Sequence, residues 1–331
     1  MATTKDKTQK QVSREGLQEQ HVEFNVQQTT WKELTWLHIE RPTNRETEYL
    51  AKRYPFHPLN LDDMFSRIQR PKIDDYKDHS FIVLHFPVFN PVTRVITSSE
   101  MDIFIGEDYI VTVDCVGNLK TLSKFFRLCQ TSEEAREDNF SHGSGYLVYR
   151  LIDRLVDYCL PIVDKIIDQV EQIEDTMFEN KRGVTIREIS ILRHNIISIR
   201  RIIWPGRAVI SCLEAKIQRF TDIVLEAYFG DLIDHMEKIW DAIEEYKEII
   251  EGLNATHDSL ASDRTNEVLR VLTILATIGT VLTVVFSFYG MNVPMPGGGS
   301  EGDPKTWIIL ILVMVVIITG MLFYFKRKRY L

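Results

Sequence analysis

Two long stretches without a charged residue constrain this chain more than any other feature of its sequence. Residues 271–300 and 306–325 contain no Asp, Glu, Lys, Arg or His, and both are mostly apolar. A run of about 20 apolar residues is long enough for a helix to cross the hydrocarbon core of a bilayer. The pattern predicts two membrane spans, over residues 266–288 and 306–325, and excludes a purely soluble protein.

The charges that flank these stretches predict their orientation. Four consecutive basic residues, 326–329, begin the tail 326–331, whereas the loop 289–305 carries a net charge of −1. Basic residues stay on the cytoplasmic side of a membrane. Both termini and the large polar region before residue 266 are therefore predicted to be cytoplasmic, in a plasma or inner membrane.

The overall charge and the cysteines exclude other classes of protein. The chain has 47 acidic and 39 basic residues, so its net charge is −8, which argues against a nucleic-acid partner. Its four cysteines are far apart and form no CxxC motif, so neither structural zinc nor a disulfide framework is indicated. Residues 1–28 are polar without an apolar core, which predicts a disordered leader and no signal peptide.

Two patterns divide the cytoplasmic part. Residues 29–145 predict an α/β domain from β-branched and aromatic runs at 34–39, 81–86, 92–97, 101–105 and 109–113, with helices at 45–53 and 60–68. Residues 146–265 follow the helical period and predict a helical stalk. Its helices are predicted over residues 146–180, 187–204 and 230–288. Pro161 predicts a kink and Pro205 the end of the second helix, and the third helix would be roughly 90 Å long.

A helical wheel of the first span shows a polar arc. Within roughly 120°, at about 100° per residue, lie Asn266, Leu269, Thr273, Ala276, Thr277, Thr280, Thr283, Val284 and Ser287. Hydroxyls in a membrane helix can bond to their own backbone carbonyls, and this explains one or two of them. A full stripe favours a helix–helix seam or a wet pathway. The arc predicts a pore lining, with Leu269 and Leu272 as apolar collars at the cytoplasmic end.

The first span ends in the sequence Tyr289-Gly290-Met291-Asn292. Gly-Met-Asn directly after the first of two C-terminal spans, with a basic tail after the second, resembles the signature of the CorA family of divalent-cation channels. Further landmarks that resemble this family lie at residues 70–76, 146–153, 203–205, 230–235 and 265–278.

The resemblance implies a homopentamer with an α/β/α N-terminal domain and a funnel of long stalk helices. It implies that the first span lines the pore, that the second surrounds it, and that Mg²⁺, Co²⁺ or Ni²⁺ permeates. Tyr289, Gly290, Met291 and Asn292 would form the selectivity filter. Mg²⁺ sheds water reluctantly, so a ring of neutral acceptors such as Asn292 would bind the ion's waters and release it again.

Carboxylates line the third predicted helix. Asp234, Glu237, Asp241, Glu244, Glu248 and Glu251 recur at spacings of three and four, with Asp231 one step before them. The stripe is typical of a solvated face, with Arg200, Arg201 and Lys216 as candidate partners. The resemblance implies instead a regulatory Mg²⁺ site between subunits. Asp231 and Asp153 match its positions, and Asn90 stands where an acidic residue is usual.

Two other functions stay open at this point. One is the zinc-handling, proton-coupled ZntB branch, which has Gly-Ile-Asn where this chain has Gly-Met-Asn. The other is a membrane-anchored sensor that conducts nothing. An enzyme is not indicated, because the sequence has no nucleophile elbow, phosphate-binding loop or metal-ligand cluster. The preference among Mg²⁺, Co²⁺, Ni²⁺ and Zn²⁺ is not determined by these patterns.

Overall fold

A computed structural model describes residues 25–65, 69–178, 186–290 and 304–327. The chain divides into two compact units, the first ending at Ile249 and the second beginning at Ile250. Residues 1–24 of the predicted leader lie outside the described residues. Its last three residues, 26–28, were predicted to be disordered but belong to the first β-strand.

Six strands form one mixed sheet within the described residues. They are β1 (Val26–Trp31), β2 (Leu34–Glu40), β3 (Lys72–Asp75), β4 (Ser80–Asn90), β5 (Val95–Ile105) and β6 (Tyr109–Asp114). Their order is β1-β2-β6-β5-β4-β3, and the β2–β6 pair is parallel while the other pairs are antiparallel. The separate strands predicted at 92–97 and 101–105 are one continuous strand, β5, because the whole segment pairs with β4.

The helices are α1 (Asn44–Arg53), α2 (Pro58–Asp63), α3 (Lys120–Thr131), α4 (Glu133–Phe140), α5 (Ser144–Phe178), α6 (Ile186–Ile217), α7 (Glu226–Tyr289) and α8 (Pro304–Arg327). A 3-10 turn follows α6 at Gln218–Phe220. α7 is one unbroken helix of 64 residues, and the boundary between the two units falls within it.

Helices cover both faces of the sheet. Side chains alternate between the two faces along each strand, and each face carries apolar residues that pack against helices. Leu37, Val83 and Phe104 project from one face and pack with Leu50 of α1 and Leu61 of α2. Trp36 projects from the other face, with its ring centroid 5.4 Å from that of Phe125 in α3 and 6.3 Å from that of Phe140 in α4. The predicted α/β/α arrangement of this domain is confirmed.

The prediction that Pro205 ends a helix was wrong. α6 continues through it to Ile217, and α5 likewise continues through Pro161. A proline inside a helix removes one backbone hydrogen bond, which costs about 3 kcal/mol. Burial of Ile202, Ile203, Val209 and Ile210 on both sides of Pro205 offsets that cost.

One buried asparagine fixes α6 to the sheet. Asn195 is fully buried, its Oδ1 accepts from the backbone N–H of Ile96 at 2.9 Å, and its Nδ2 donates to the carbonyl of Arg94 at 2.9 Å. Asn195→Ala leaves both backbone groups without a partner, so we expect a loss of about 2–4 kcal/mol in the free energy of unfolding. Denaturant unfolding checks this value, and a loss no larger than that of Asn254→Ala on the stalk would contradict it.

Candidate ion pathway and cation site

The segment of α7 predicted to cross the membrane is almost uncovered. Between residues 266 and 288 the only buried side chain is Ile274, while Leu272 is 59% and Leu275 63% exposed. Among the described residues, α7 meets the length and apolarity of a membrane span. An apolar surface of this length is stable only against lipid or other protein. The second predicted span falls on α8, whose membrane crossing stays a prediction.

Four threonines on the predicted pore face share one geometry. The hydroxyls of Thr273, Thr277, Thr280 and Thr283 each donate to the carbonyl four residues earlier, at 2.7–2.8 Å. Bonding to the helix's own backbone therefore accounts for four hydroxyls, more than the one or two expected. It also uses their protons and leaves the oxygen lone pairs as acceptors. The result is a row of acceptors on an apolar helix.

The helix ends where the filter motif begins. Tyr289 is the last helical residue, and the N–H of Gly290 donates to the carbonyl of Phe286 at 2.9 Å. Met291 and Asn292 lie outside the described residues. Their predicted part in a selectivity filter stays a prediction.

A cluster of potential metal ligands joins α5 and α7. Ligand atoms of Asp153, Asp157 and His235 all lie within 4.8 Å of one another. Asp153 and Asp157 are four residues apart on α5 and share one of its faces. His235 of α7 approaches with Nδ1 3.7 Å from Asp157 Oδ1, and its Nε2 is 3.9 Å from Asp231 Oδ1.

The electrostatics of this cluster favour a bound cation. Burial raises the pKa of Asp153, and the neighbouring carboxylates of Asp157 and Asp231 raise it further. Arg150, 3.7 Å from Asp153, opposes this shift only in part. A divalent cation would relieve the repulsion between these carboxylates and supply the charge that the protein lacks there.

Two of the three predicted regulatory residues lie at this cluster. Asp153 is one of its members, and Asp231 lies beside it through His235. Asn90 ends β4, where its Oδ1 accepts from the backbone N–H groups of Val92 at 2.9 Å and Thr93 at 3.2 Å. Its side chain thus closes a turn of its own chain.

Part of the acidic stripe is neutralised by α6. Arg200 Nε lies 3.1 Å from Glu244 Oε2, and Arg207 pairs with Glu237. Lys216, predicted as a partner of the stripe, lies instead 3.2 Å from Asp75 of β3. For Glu237 and Glu244 the predicted solvated, paired face is the better description.

The comparison with known proteins decides the family. The family model described as CorA-like Mg²⁺ transporter protein matches residues 31–327. The chain belongs to the CorA family. It is 31% identical over 311 residues to the cobalt/magnesium transport protein CorA of Thermotoga maritima, a match that covers 91% of this chain and 83% of that protein.

Two further similar proteins are more distant in sequence. The chain is 22% identical over 308 residues to the zinc transport protein ZntB of Yersinia pseudotuberculosis, covering 89% of this chain and 88% of that protein. The fold is that of the CorA magnesium transporter from Methanocaldococcus jannaschii, with a TM-score of 0.75, 20% identity and coverage of 92% and 94%. This CorA-family chain is a transporter of metal ions.

Sequence reasoning missed Asp157 and His235 in this CorA-family protein. Both are four residues from a predicted ligand on the same helix, Asp157 from Asp153 and His235 from Asp231. That spacing places each pair on one helical face. This spacing was the one signal in the sequence that could have pointed to Asp157 and His235. Only the packing of α5 beside α7 brings the two faces together. The folded chain therefore brings together potential metal ligands that are not recognisable as a motif in the sequence.

Proposed function

We propose that this CorA-family chain conducts hydrated Mg²⁺ through a homopentameric pore lined by α7. The observation that carries the proposal is the row of threonine oxygens that remain acceptors on an exposed apolar helix. The waters around Mg²⁺ point their hydrogens outward, and the ion sheds these waters reluctantly. A lining of neutral acceptors binds such waters without holding the ion as a carboxylate would.

The proposed path has an inner and an outer end. At the cytoplasmic end, Leu269 and Leu272 are exposed and would close the path as apolar collars. At the outer end, the ring of Asn292 amides would bind the ion's hydration shell. Co²⁺ and Ni²⁺ would share the path because they also carry octahedral hydration shells. α8 would surround the pore in the lipid, and both termini would be cytoplasmic.

Flux into liposomes distinguishes this proposal from the zinc alternative. Reconstituted full-length protein should carry Mg²⁺ down its gradient, at a rate unchanged by a pH gradient. A ZntB-like transporter would carry Zn²⁺ faster when a pH gradient is applied and carry little Mg²⁺. Absence of any divalent flux in correctly assembled protein would favour the membrane-anchored sensor.

We further propose that cytosolic Mg²⁺ closes the channel by binding at the cluster around Asp153 and Asp231. The raised pKa of Asp153 reflects burial beside like charges, which Arg150 and His235 offset only in part. Mg²⁺ favours oxygen ligands, which Asp153, Asp157 and Asp231 supply, with His235 acting through a retained water. Binding shifts the population toward closure only by the difference in affinity between the two states.

Neutralising the cluster should remove the effect of Mg²⁺. We expect Mg²⁺ to protect the wild type from proteolysis, and we expect Asp231→Asn and Asp153→Asn each to lose that protection, because an amide binds a hard cation far less strongly than a carboxylate. Limited proteolysis across a Mg²⁺ titration measures this. Asp263→Asn, an exposed carboxylate elsewhere on α7, is the matched control.

Asn90 allows a test in the opposite direction. Its turn needs only an acceptor at Oδ1, so Asn90→Asp retains both hydrogen bonds and adds a charge. If β4 faces the cluster of a neighbouring subunit, this variant should be protected at lower Mg²⁺ than the wild type.

Identical protection of wild type, Asp231→Asn and Asp153→Asn would show that the sensor lies elsewhere.

A further inference from the structure

A second group of potential metal ligands lies inside the N-terminal domain, on the sheet face that packs against α1 and α2. Ligand atoms of Glu100, Asp102 and Cys115 all lie within 4.8 Å of one another. His85 joins the group, because its Nε2 lies 3.3 Å from Glu100 Oε2. These residues have no part in the ion path or the cluster on α5 and α7.

The strand register brings this group together. His85 of β4 lies directly opposite Glu100 of β5, and Asp102 is two residues further along the same face of β5. Cys115 follows Asp114, the last residue of β6, which pairs with Met101 of β5. The four side chains therefore come from three adjacent strands, a rigid support for a site.

The group is buried and incompletely satisfied. Asp102 is fully buried and Glu100 is 5% exposed. Asp102 Oδ2 accepts from Cys115 Sγ at 3.5 Å, but Asp102 Oδ1 has no hydrogen-bond partner among the described residues. Asp102 lies opposite Val83 and Val113, which belong to the apolar core. A buried carboxylate oxygen without a partner is costly.

Lys72, a described cation that acts on Asp102, does not resolve this cost. Lys72 on the neighbouring strand β3 is engaged by Asp63 at 2.8 Å and by Asp74 at 2.7 Å. Burial raises the pKa of Asp102 well above its ordinary value, and the charge of Glu100 adds to the shift. The group thus has the ligand atoms of a cation site.

Access to the group comes from one side. A cavity of about 320 Å³ borders Glu100 and Cys115, and Pro42, Met64 and Ser98 also line it. One oxygen of Glu100 accepts the backbone N–H of Gln69 at 2.7 Å, which orients the carboxylate. Ser98 Oγ lies 3.2 Å from His85 Nδ1 and in the same way orients the imidazole.

We propose that Glu100, Asp102 and Cys115 bind a borderline transition-metal cation of the Zn²⁺ or Co²⁺ class, with His85 orienting Glu100. Thiolate together with carboxylate ligands is the donor set of such ions, whereas Mg²⁺ takes oxygen ligands only. In a tetrahedral site with metal–sulfur distances of about 2.3 Å and metal–oxygen distances of about 2.0–2.2 Å, neighbouring ligand atoms lie about 3.4–3.6 Å apart. Cys115 Sγ and Asp102 Oδ2 are 3.5 Å apart.

Cobalt spectroscopy on the full-length protein tests this proposal without measuring transport. With Mg²⁺ in excess to saturate oxygen-ligand sites, Co²⁺ should produce the near-ultraviolet sulfur-to-cobalt charge-transfer absorption of a thiolate ligand. Equimolar Zn²⁺ should abolish the absorption. Cys115→Ser should eliminate it, whereas Cys212→Ser, at an exposed cysteine, should keep it.

Two more variants separate binding from folding. His85→Gln should weaken Co²⁺ binding by about 10–100-fold, the effect of removing an outer partner of a ligand, while Asp102→Asn should weaken it by more. Thermal unfolding without metal identifies a variant that fails to fold, and Glu100→Gln then serves in its place. Absence of the absorption in the wild type, or its persistence in Cys115→Ser, would overturn the proposal.

Discussion

Replacing Asn292 by alanine should abolish Mg²⁺ uptake and leave the assembled protein intact. Asn292 is the one side-chain amide of the Gly290-Met291-Asn292 motif, and its neutral oxygen would bind the hydration shell of Mg²⁺ at the outer mouth. Without that oxygen the outer mouth has no side-chain acceptor to bind the hydrated ion. Fluorescent Mg²⁺ detection in liposomes measures uptake, and size-exclusion chromatography measures assembly.

A charged replacement at the same position distinguishes selectivity from simple attraction. Asn292→Asp should bind divalent ions more tightly and pass them more slowly, because conduction requires release as well as binding. Asn254→Ala, at an asparagine of α7 whose amide lies 3.5 Å from Asp258, should transport as the wild type does. Uptake at the native rate in Asn292→Ala would contradict the assignment of Asn292 to the selectivity filter.

Thr280→Leu should reduce Mg²⁺ flux by about an order of magnitude, equivalent to ~1.4 kcal/mol in the barrier. Thr280 lies at the centre of the polar arc, and its hydroxyl bonds to the carbonyl of Ala276 at 2.8 Å with its oxygen left as an acceptor. Leucine adds bulk to the pore and removes that acceptor. Initial flux rates in liposomes of matched protein content measure the effect.

Two controls separate bulk from polarity. Thr280→Val has nearly the shape of threonine and lacks the oxygen, so a flux between those of wild type and Thr280→Leu is expected. Val316→Leu enlarges a side chain of α8 that is 62% exposed and predicted to face lipid, and it should change little. Equal flux in Thr280→Leu and Val316→Leu would argue for an anchor hairpin that lines no pore.

Local sequence patterns predicted the elements whose burial repeats with a regular period. Alternating side chains located β2, β4, β5 and β6, and the helical period located α5 and α7 within a few residues. The short strand β3, four residues long, carries too few side chains for such a pattern. Pro205 misled the prediction because its effect on a helix is local, whereas the packing that keeps α6 continuous comes from residues on both sides.

The sequence by itself identified the family through the Gly-Met-Asn motif and predicted the membrane spans from uncharged length, since both are properties of contiguous residues. Only the tertiary structure decided which polar groups meet. Asp153 reaches His235 through the packing of α5 beside α7, and His85 reaches Glu100 through the register of β4 and β5. Such contacts join residues far apart in the chain, and pairing and burial, which no local pattern encodes, hold them together.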